Sequence, residues 1–414
     1  MHPNDKVVKV SNVKRIKTVI SYPDNRNGKP LDTFTNLKFL LDLYNIQVRW
    51  NIMLRVREIT IPGIKNFVDE KENADLAYIY HLATTNEMPN KNLDSHLDAI
   101  AWNNTYHPIV ECINAKPWDG IGRLDKFIGC IKTKDDDYSY KIIKRWMFSA
   151  ITAAFSETGF SAQGVLVLQG NQNLGKTRWV KSLDPIKCGA VKEGLLLDPS
   201  NKDSVITASQ CWIAELGELD GTFRKADIAR IKSYITNEVD IIRSPYMPRN
   251  SYLNRRTVFV ATVNELQYLV DDTGNRRWWT IEVESIDLNH GLDMQQVWAE
   301  IYNIYKKDHV AHWLSEDELK ELAKINEVHE QTDPFEEKLL SYFDWQKDWE
   351  SFTTIELSTT DVMEKLGYLK PTKADATRMG KIIIKHTGKK PKRRAHMRVH
   401  TLPLIKNDFI EPKF

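Results

Sequence analysis

Apolar positions recur at helical spacing in TNLKFLLDLY (35–44) and then every second residue in QVRWNIMLRVREITI (47–61), which predicts a helix followed by a short hairpin. Ahead of them, residues 1–33 mix Lys, Asn, Asp and Pro without periodicity, and SYPDNRNGKP (21–30) is turn chemistry, so a flexible N-terminal arm is expected. Residues 34–135 read as a mainly helical region, in which NAKPWDGIGRLDKF (114–127) supplies a turn, an aromatic and a helix restart. In 136–155, Ile142, Ile143, Trp146, Met147, Ala150 and Ile151 fall on one helical face behind a run of acids. Strand-like runs follow at 164–169, 211–215, 257–263 and 278–283, separated by helical or polar stretches. Alternation of this kind predicts an α/β core with a mostly parallel sheet across 136–330. Exposed helices joined by a polar linker near 330–334 lead to a last domain at 335–414.

Composition narrows the class. With 414 residues, 42% hydrophobic and 28% charged, the chain is long enough for two or three globular domains, and wholesale disorder is unlike it. No apolar run reaches the ~18–20 residues that cross a bilayer, and MHPNDKVVKV lacks the apolar core of a signal peptide; the expected address is the cytoplasm, without membrane association. The four cysteines show no C-x-x-C spacing and read as reduced thiols.

Charge is unevenly placed. Residues 364–414 hold fourteen Lys or Arg against four Asp or Glu, a net +10, so the preceding 363 residues carry −8. That tail is patterned as helix (359–371), basic amphipathic helix (373–388) and hairpin, the order of a winged-helix module, with Lys392, Arg393, Arg394 and Arg398 placed to meet phosphates. A protein–protein contact is the competing use of such a module.

The sharpest chemical signal is GNQNLGKT, where Gly170, Asn171, Gln172, Asn173, Leu174, Gly175, Lys176 and Thr177 match G-x-x-x-x-G-K-[ST] between an apolar strand and a helix start. Glycines let backbone N–H groups approach phosphates, Lys176 reaches the outer phosphates, and Thr177 supplies a magnesium ligand, so ATP and Mg2+ are the expected ligands. A second carboxylate is required on a neighbouring strand; CWIAELGELD offers Glu215 at the strand end, with Glu218 as second candidate and Asp220 just beyond. Glu215 is therefore paired with Thr177 as the expected metal-binding set.

Further along, the strand TVFVATV ends at Asn264, whose amide can orient water or meet the terminal phosphate, although an Asn at a strand end also serves a plain turn. DDTGNRRWW sets Arg276 and Arg277 after a tight turn, where a guanidinium can reach a neighbouring subunit's nucleotide. DIIRSPYMPRNSYLNRR (240–256) reads as a hairpin or loop in which Arg243, Tyr246, Arg249, Arg255 and Arg256 suit a single DNA strand; intersubunit ion pairs are the alternative.

In this order, PWDGIGRLD, GNQNLGKT, WIAELGELDG, RSPYMPR, VFVATVNE and DTGNRRWW make residues from about 100 to 310 resemble the virulence-associated protein E family of phage and genomic-island proteins. That family is related to the helicase part of poxvirus-type primase-helicases and, more distantly, to superfamily 3 helicases. The resemblance implies an AAA+-like P-loop core, Glu215 with Glu218 as the acidic motif, Asn264 as phosphate sensor, Arg276 or Arg277 as a trans-acting finger, and a homo-hexameric ring. A Glu at the first acidic position, and an acidic pair split by Leu216 and Gly217, depart from the general helicase pattern. The expected function is an ATP-dependent DNA helicase or translocase in replication of a phage or mobile element. A nucleotide-sensing DNA-binding regulator, or an origin-remodelling ATPase without unwinding, is the alternative. The roughly 100 residues ahead of the resemblance leave little room for a primase, so priming is expected from a separate protein.

Overall fold

The computed structural model describes residues 20–64, 70–217, 225–242, 251–270, 274–308, 310–331, 333–345, 349, 353–394 and 397–406, without the side chains of 225–228. They form two compact units, one of residues up to 264 with 276–322, the other of 265–275 with 323 onward.

The first unit begins with the tiny hairpin β1 (Asn25–Arg26) and β2 (Lys29–Pro30), then α1 (Phe34–Leu43), whose first turn is capped by Thr33. This corrects the expectation of a flexible arm for residues 20–33. Tyr22 is buried and donates to the Asn86 carbonyl, while the Asn36 amide ties the carbonyls of Asp24 and Leu31 at 2.7 and 2.8 Å. Residues 1–19 lie outside the described residues. The expected hairpin is present as β3 (Gln47–Asn51) antiparallel to β4 (Val56–Thr60). Helices α2 (Lys71–Thr85) and α3 (Leu93–Trp102) follow, and β5 (Thr105–Tyr106) joins β3 in parallel. Leu37, Leu40, Leu41, Val48, Ile59, Ile79 and Leu97 share one core here.

The chain continues through α4 (Pro108–Ala115), α5 (Leu124–Ile128), β6 (Ile131–Thr133) and α6 (Asp136–Phe155). It then alternates as β7 (Val165–Gln169), α7 (Lys176–Ser182), β8 (Val191–Leu195), α8 (Lys202–Ser209), β9 (Ile213–Leu216) and α9 (Lys225–Ile235). A two-stranded hairpin, β10 (Val239–Ile242) with β11 (Ser251–Asn254), precedes β12 (Val258–Val263) and β13 (Trp278–Ile286); α10 (Met294–Asp308) and α11 (Glu316–His329) complete the run.

Six strands form one sheet in the order β6-β13-β7-β12-β9-β8, parallel except for the β6 edge. The central strands β7 and β12 are almost continuously apolar because both their faces are covered. All six residues predicted for the inner face of α6 are buried, and Phe148, Ala153 and Ala154 are buried as well, so the helix is enclosed more widely than a single stripe. Its tryptophan donates to the Phe259 carbonyl at 2.8 Å, which satisfies an indole N–H inside the core.

In the second unit, α12 (Pro334–Tyr342), α13 (Thr359–Lys365) and α14 (Lys373–Thr387) enclose a core of Leu339, Phe343, Val362, Met363, Met379, Ile383 and Leu402. With them goes an antiparallel sheet of β14 (Ile355–Ser358), β15 (Lys392–Arg394) and β16 (Met397–Leu402), ordered β14-β16-β15. Both α13 and α14 start with a capping box, Ser358 with Asp361 and Thr372 with Asp375, and α14 stops at Gly388 in the left-handed region.

Candidate functional site

The loop 170–175 leaves the C-terminal end of β7 and delivers Lys176 as the first residue of α7. Gly175 sits at φ +86°, and a Cβ there would lie 2.7 Å from the Leu288 side chain. At Gly170 a Cβ would meet the Val283 carbonyl oxygen at 2.5 Å, so both glycines are set by close approach. Asn171, Gln172 and Asn173 are exposed on the loop, and Leu174 tucks back toward Gly170. Behind it, Trp179 of α7 stacks on Phe127 of α5 with ring centroids 5.4 Å apart, which fixes the helix that carries the lysine.

Four predicted residues meet at this end of the sheet. The buried Lys176 amine donates to the carbonyls of Gly170 (2.5 Å) and Asn171 (2.8 Å) and to Asn264 Oδ1 (3.0 Å). The Thr177 hydroxyl donates to Glu215 Oε1 at 2.8 Å. Glu215 is only 2% exposed, and β12 lies between its strand β9 and the loop strand β7. Two residues outside the sequence-derived set belong here. Thr262 donates to the same Glu215 oxygen at 2.9 Å, and Gln169 Nε2 donates to the Asn264 carbonyl at 3.4 Å. A hydroxyl in an otherwise apolar strand, two residues before Asn264 and on the same strand face, was the available signal for Thr262. Glu218 lies outside the described residues, as does Asp220.

Arg276 and Arg277 stand elsewhere. They close the 3-10 turn before β13, whose Trp278 pairs with Val165 at the start of β7. Because β13 and β7 are parallel, the two arginines lie at the opposite end of the sheet from their own loop, roughly 17 Å away at about 3.3 Å per strand residue. Arg276 is exposed and Arg277 half-buried, and neither guanidinium has an ion-pair partner among the described residues.

The hairpin brings a correction. Arg255 is wholly buried: its guanidinium pairs with Asp240 at 2.5 and 3.2 Å, donates to the Tyr234 carbonyl and lies 3.9 Å over the Tyr234 ring. Such a side chain holds the hairpin base and offers nothing to a DNA strand. Arg256 is likewise committed, to the carbonyls of Ser156 (2.9 Å) and Glu157 (3.2 Å), with its pKa lowered by burial. Arg55 adds a third guanidinium, bonded to the carbonyls of Ser209 and Asn254, and burial with Arg256 nearby lowers its pKa to about 10. Arg243, Tyr246 and Arg249 lie outside the described residues.

Across the C-terminal sheet, Lys392, Arg393, Arg394 and Arg398 are all exposed. Arg394 is bidentate on Glu356 at 3.0 Å, and Lys392 is 3.9 Å from the same carboxylate. Arg393 and Arg398 are directly opposite each other in the β15–β16 register and have no ion-pair partner among the described residues. Along α14, Arg378 pairs with Asp333 and Lys385 with Glu336, so part of the helix's basic charge is turned inward onto α12. The four cysteines are free, as expected of reduced thiols, and burial pushes the Cys188 and Cys211 thiols up to about 12. Among the described residues no helix is long and apolar enough to cross a membrane.

Among solved structures, the chain is similar to the apo C-terminal region of NrS-1 (305–718). Its A form aligns at 15% identity over 89% of this chain and 98% of that one, with a TM-score of 0.46. A second apo structure of that region aligns at 14% identity over the same shares, with a TM-score of 0.43. No curated protein matches. The model of the virulence-associated protein E-like domain matches residues 113–331, just over half of the chain and all four residues of the loop-end cluster, and the protein belongs to that family.

Proposed function

We propose that this protein is a magnesium-dependent ATPase with an AAA+-like core of the superfamily 3 helicase type, which assembles as a homo-hexameric ring and moves DNA during replication of a phage or mobile genetic element. One observation carries the reading: Lys176 against Asn264 and Thr177 against Glu215, side by side at the C-terminal ends of adjacent parallel strands. That edge of an open α/β sheet is where ligands bind.

The donor set fits a magnesium nucleotide. Thr177 and Glu215 would hold the ion, a hydroxyl and a carboxylate being the oxygen ligands that magnesium takes from protein beside phosphates. When bound, magnesium neutralises charge on the outer phosphates. The chain's own residues do the rest. Backbone N–H groups of 171–176 at the start of α7 cradle phosphate. Lys176 exchanges its carbonyl partners for phosphate oxygens, and Asn264, already within 3.0 Å of that amine, is placed to follow the exchange. Glu215, with Glu218 as a second carboxylate, orients the attacking water and accepts its proton. Positioning of this kind is most of what phosphoryl transfer to water requires.

Arg276 and Arg277, exposed at the far end of the sheet, would serve the next subunit's site, which makes the ring part of the chemistry. The hairpin β10–β11, with Arg243, Tyr246 and Arg249 in its connection, would contact single-stranded DNA, and the second unit would act as a winged helix on duplex DNA. Its helix, strand, helix, helix, strand, strand order and the exposed Arg393 and Arg398, without an ion-pair partner among the described residues, support that use.

The test is magnesium-dependent ATP hydrolysis by wild type and Lys176→Ala, with and without single-stranded DNA. Stimulated turnover that is lost in the variant is expected, with the fold and DNA binding retained. Persistent turnover in Lys176→Ala refutes the site, and tight DNA binding without wild-type turnover favours the nucleotide-sensing regulator.

A further inference from the structure

We infer that Thr262 is a positioning residue for the reaction, the group that keeps the Glu215 carboxylate aligned once a magnesium nucleotide draws the Thr177 hydroxyl away. The inference rests on the ATPase reading above and deepens it.

Glu215 Oε1 accepts two hydroxyl hydrogen bonds, from Thr177 at 2.8 Å and from Thr262 at 2.9 Å. The two donors have different fates. Thr177 belongs to the phosphate loop, and as a metal ligand its oxygen turns to the ion, so its bond to Glu215 cannot be the one that orients the carboxylate during turnover. Thr262 belongs to β12, and its hydroxyl donates to no other group among the described residues. Buried at 2% exposure, Glu215 has little water to take up a freed oxygen, and an acceptor left without a donor there swings or is destabilised. The Thr262 hydroxyl prevents both.

Position in the sheet gives this contact a second consequence. β12 lies between β7 and β9, and its Thr262 faces the same way as Asn264 two residues later. One side chain touches the acid and the other touches the lysine. Both arms of the site are therefore fastened to the one strand that follows the β10–β11 hairpin after a three-residue link, 255–257. Thr262 is the fastening for the acidic arm.

Thr262→Val keeps the branched shape and deletes the hydroxyl; Thr262→Ser keeps the hydroxyl. Loss of a hydrogen bond to a charged acceptor corresponds to roughly a tenfold effect or more. Full-length protein would be titrated with magnesium at fixed ATP for turnover, and with a fluorescent ADP analogue, with and without magnesium, for binding. The expected result for Thr262→Val is about a tenfold rise in half-saturating magnesium, about a tenfold fall in kcat, and weaker binding of the analogue only when magnesium is present. Thr262→Ser should return most of each, at an unchanged melting temperature. Equal behaviour of Val and wild type overturns the inference, and so does equal impairment in Val and Ser, which would mark a packing role. Wild type that neither hydrolyses ATP nor binds the analogue overturns the ATPase reading itself.

Discussion

Replacing Arg255 separates a buried scaffold from a DNA contact. In Arg255→Met the side-chain volume is nearly kept, but Asp240, 6% exposed, loses its counter-charge and both of its guanidinium hydrogen bonds. Breaking a buried pair by removing one partner costs about 3–5 kcal/mol, because the remaining charge has neither water nor a partner. The Tyr234 carbonyl also loses its donor. In a domain of this size that loss lowers the melting temperature by roughly 5–10 °C. The companion variant Arg255→Met/Asp240→Leu removes both charges, and since replacing a buried pair by apolar groups is often neutral, most of the stability should return. Thermal melting and urea unfolding of the three proteins measure this directly, with DNA binding followed over a salt series. The scaffold reading requires the single variant to be destabilised and the double variant to recover both stability and DNA affinity. A single variant with wild-type stability and a DNA-binding slope reduced by about one would refute it and return Arg255 to the strand.

Other perturbations test the remaining placements. Arg276→Ala or Arg277→Ala should abolish turnover alone yet recover part of it when mixed with Lys176→Ala, since a mixed ring contains complete interfaces; mixed rings without recovery would exclude trans action. Arg393→Ala and Arg398→Ala should each lower the magnitude of the log–log salt slope for duplex binding by about one, while Arg394→Ala, already bidentate on Glu356, should change it less. His107 is buried with neither ring nitrogen hydrogen-bonded among the described residues, and burial, with Arg256 nearby, lowers its pKa to about 3 from 6.5. The unfolded chain therefore takes up its proton first as pH falls below 6.5, stability drops by roughly 2 kcal/mol between pH 6.5 and 5, and His107→Leu should flatten urea unfolding over that window.

The strand, loop and helix around 170–177 were legible because their signal is local: eight consecutive residues stand between an apolar strand and a helix start. So were the apolar strands β7, β9, β12 and β13, the hairpin, and the two capped C-terminal helices. β8 was not, since VKEGL is an edge strand with half-exposed and exposed positions and no apolar run to mark it. Nor was the fate of the hairpin arginines. Arg255 and Arg256 are adjacent basic residues, and what buries them is Asp240 and Tyr234 in one case and the end of α6 in the other, partners that spacing along the chain cannot assign. The arm fails for a similar reason: SYPDNRNGKP is turn chemistry, but Tyr22 within it finds a core 64 residues away at Asn86. Residues 265–275 group with the C-terminal unit although residues 276–322 of the chain separate them from it.

The commitment of Arg255 and Arg256 to protein partners bears on the proposed role of the hairpin. A loop that carries charge at its base as well as its tip would need to flex at the base to exchange phosphates. Here the base is locked instead: Arg255 to Asp240 and Tyr234, Arg256 to the carbonyls that end α6, and Arg55 to the Asn254 carbonyl from the N-terminal hairpin. The next residue but one, Thr257, donates to the Cys211 carbonyl at 2.7 Å just ahead of β9. The hairpin is thus rigidly joined at its root to both β12 and β9, the strands that carry Asn264 with Thr262 and Glu215. On the proposed function, displacement of those side chains by a nucleotide would be passed to the hairpin as movement of a stiff body, which leaves the proposed DNA contacts to Arg243, Tyr246 and Arg249 in the segment that connects β10 to β11 in the sequence.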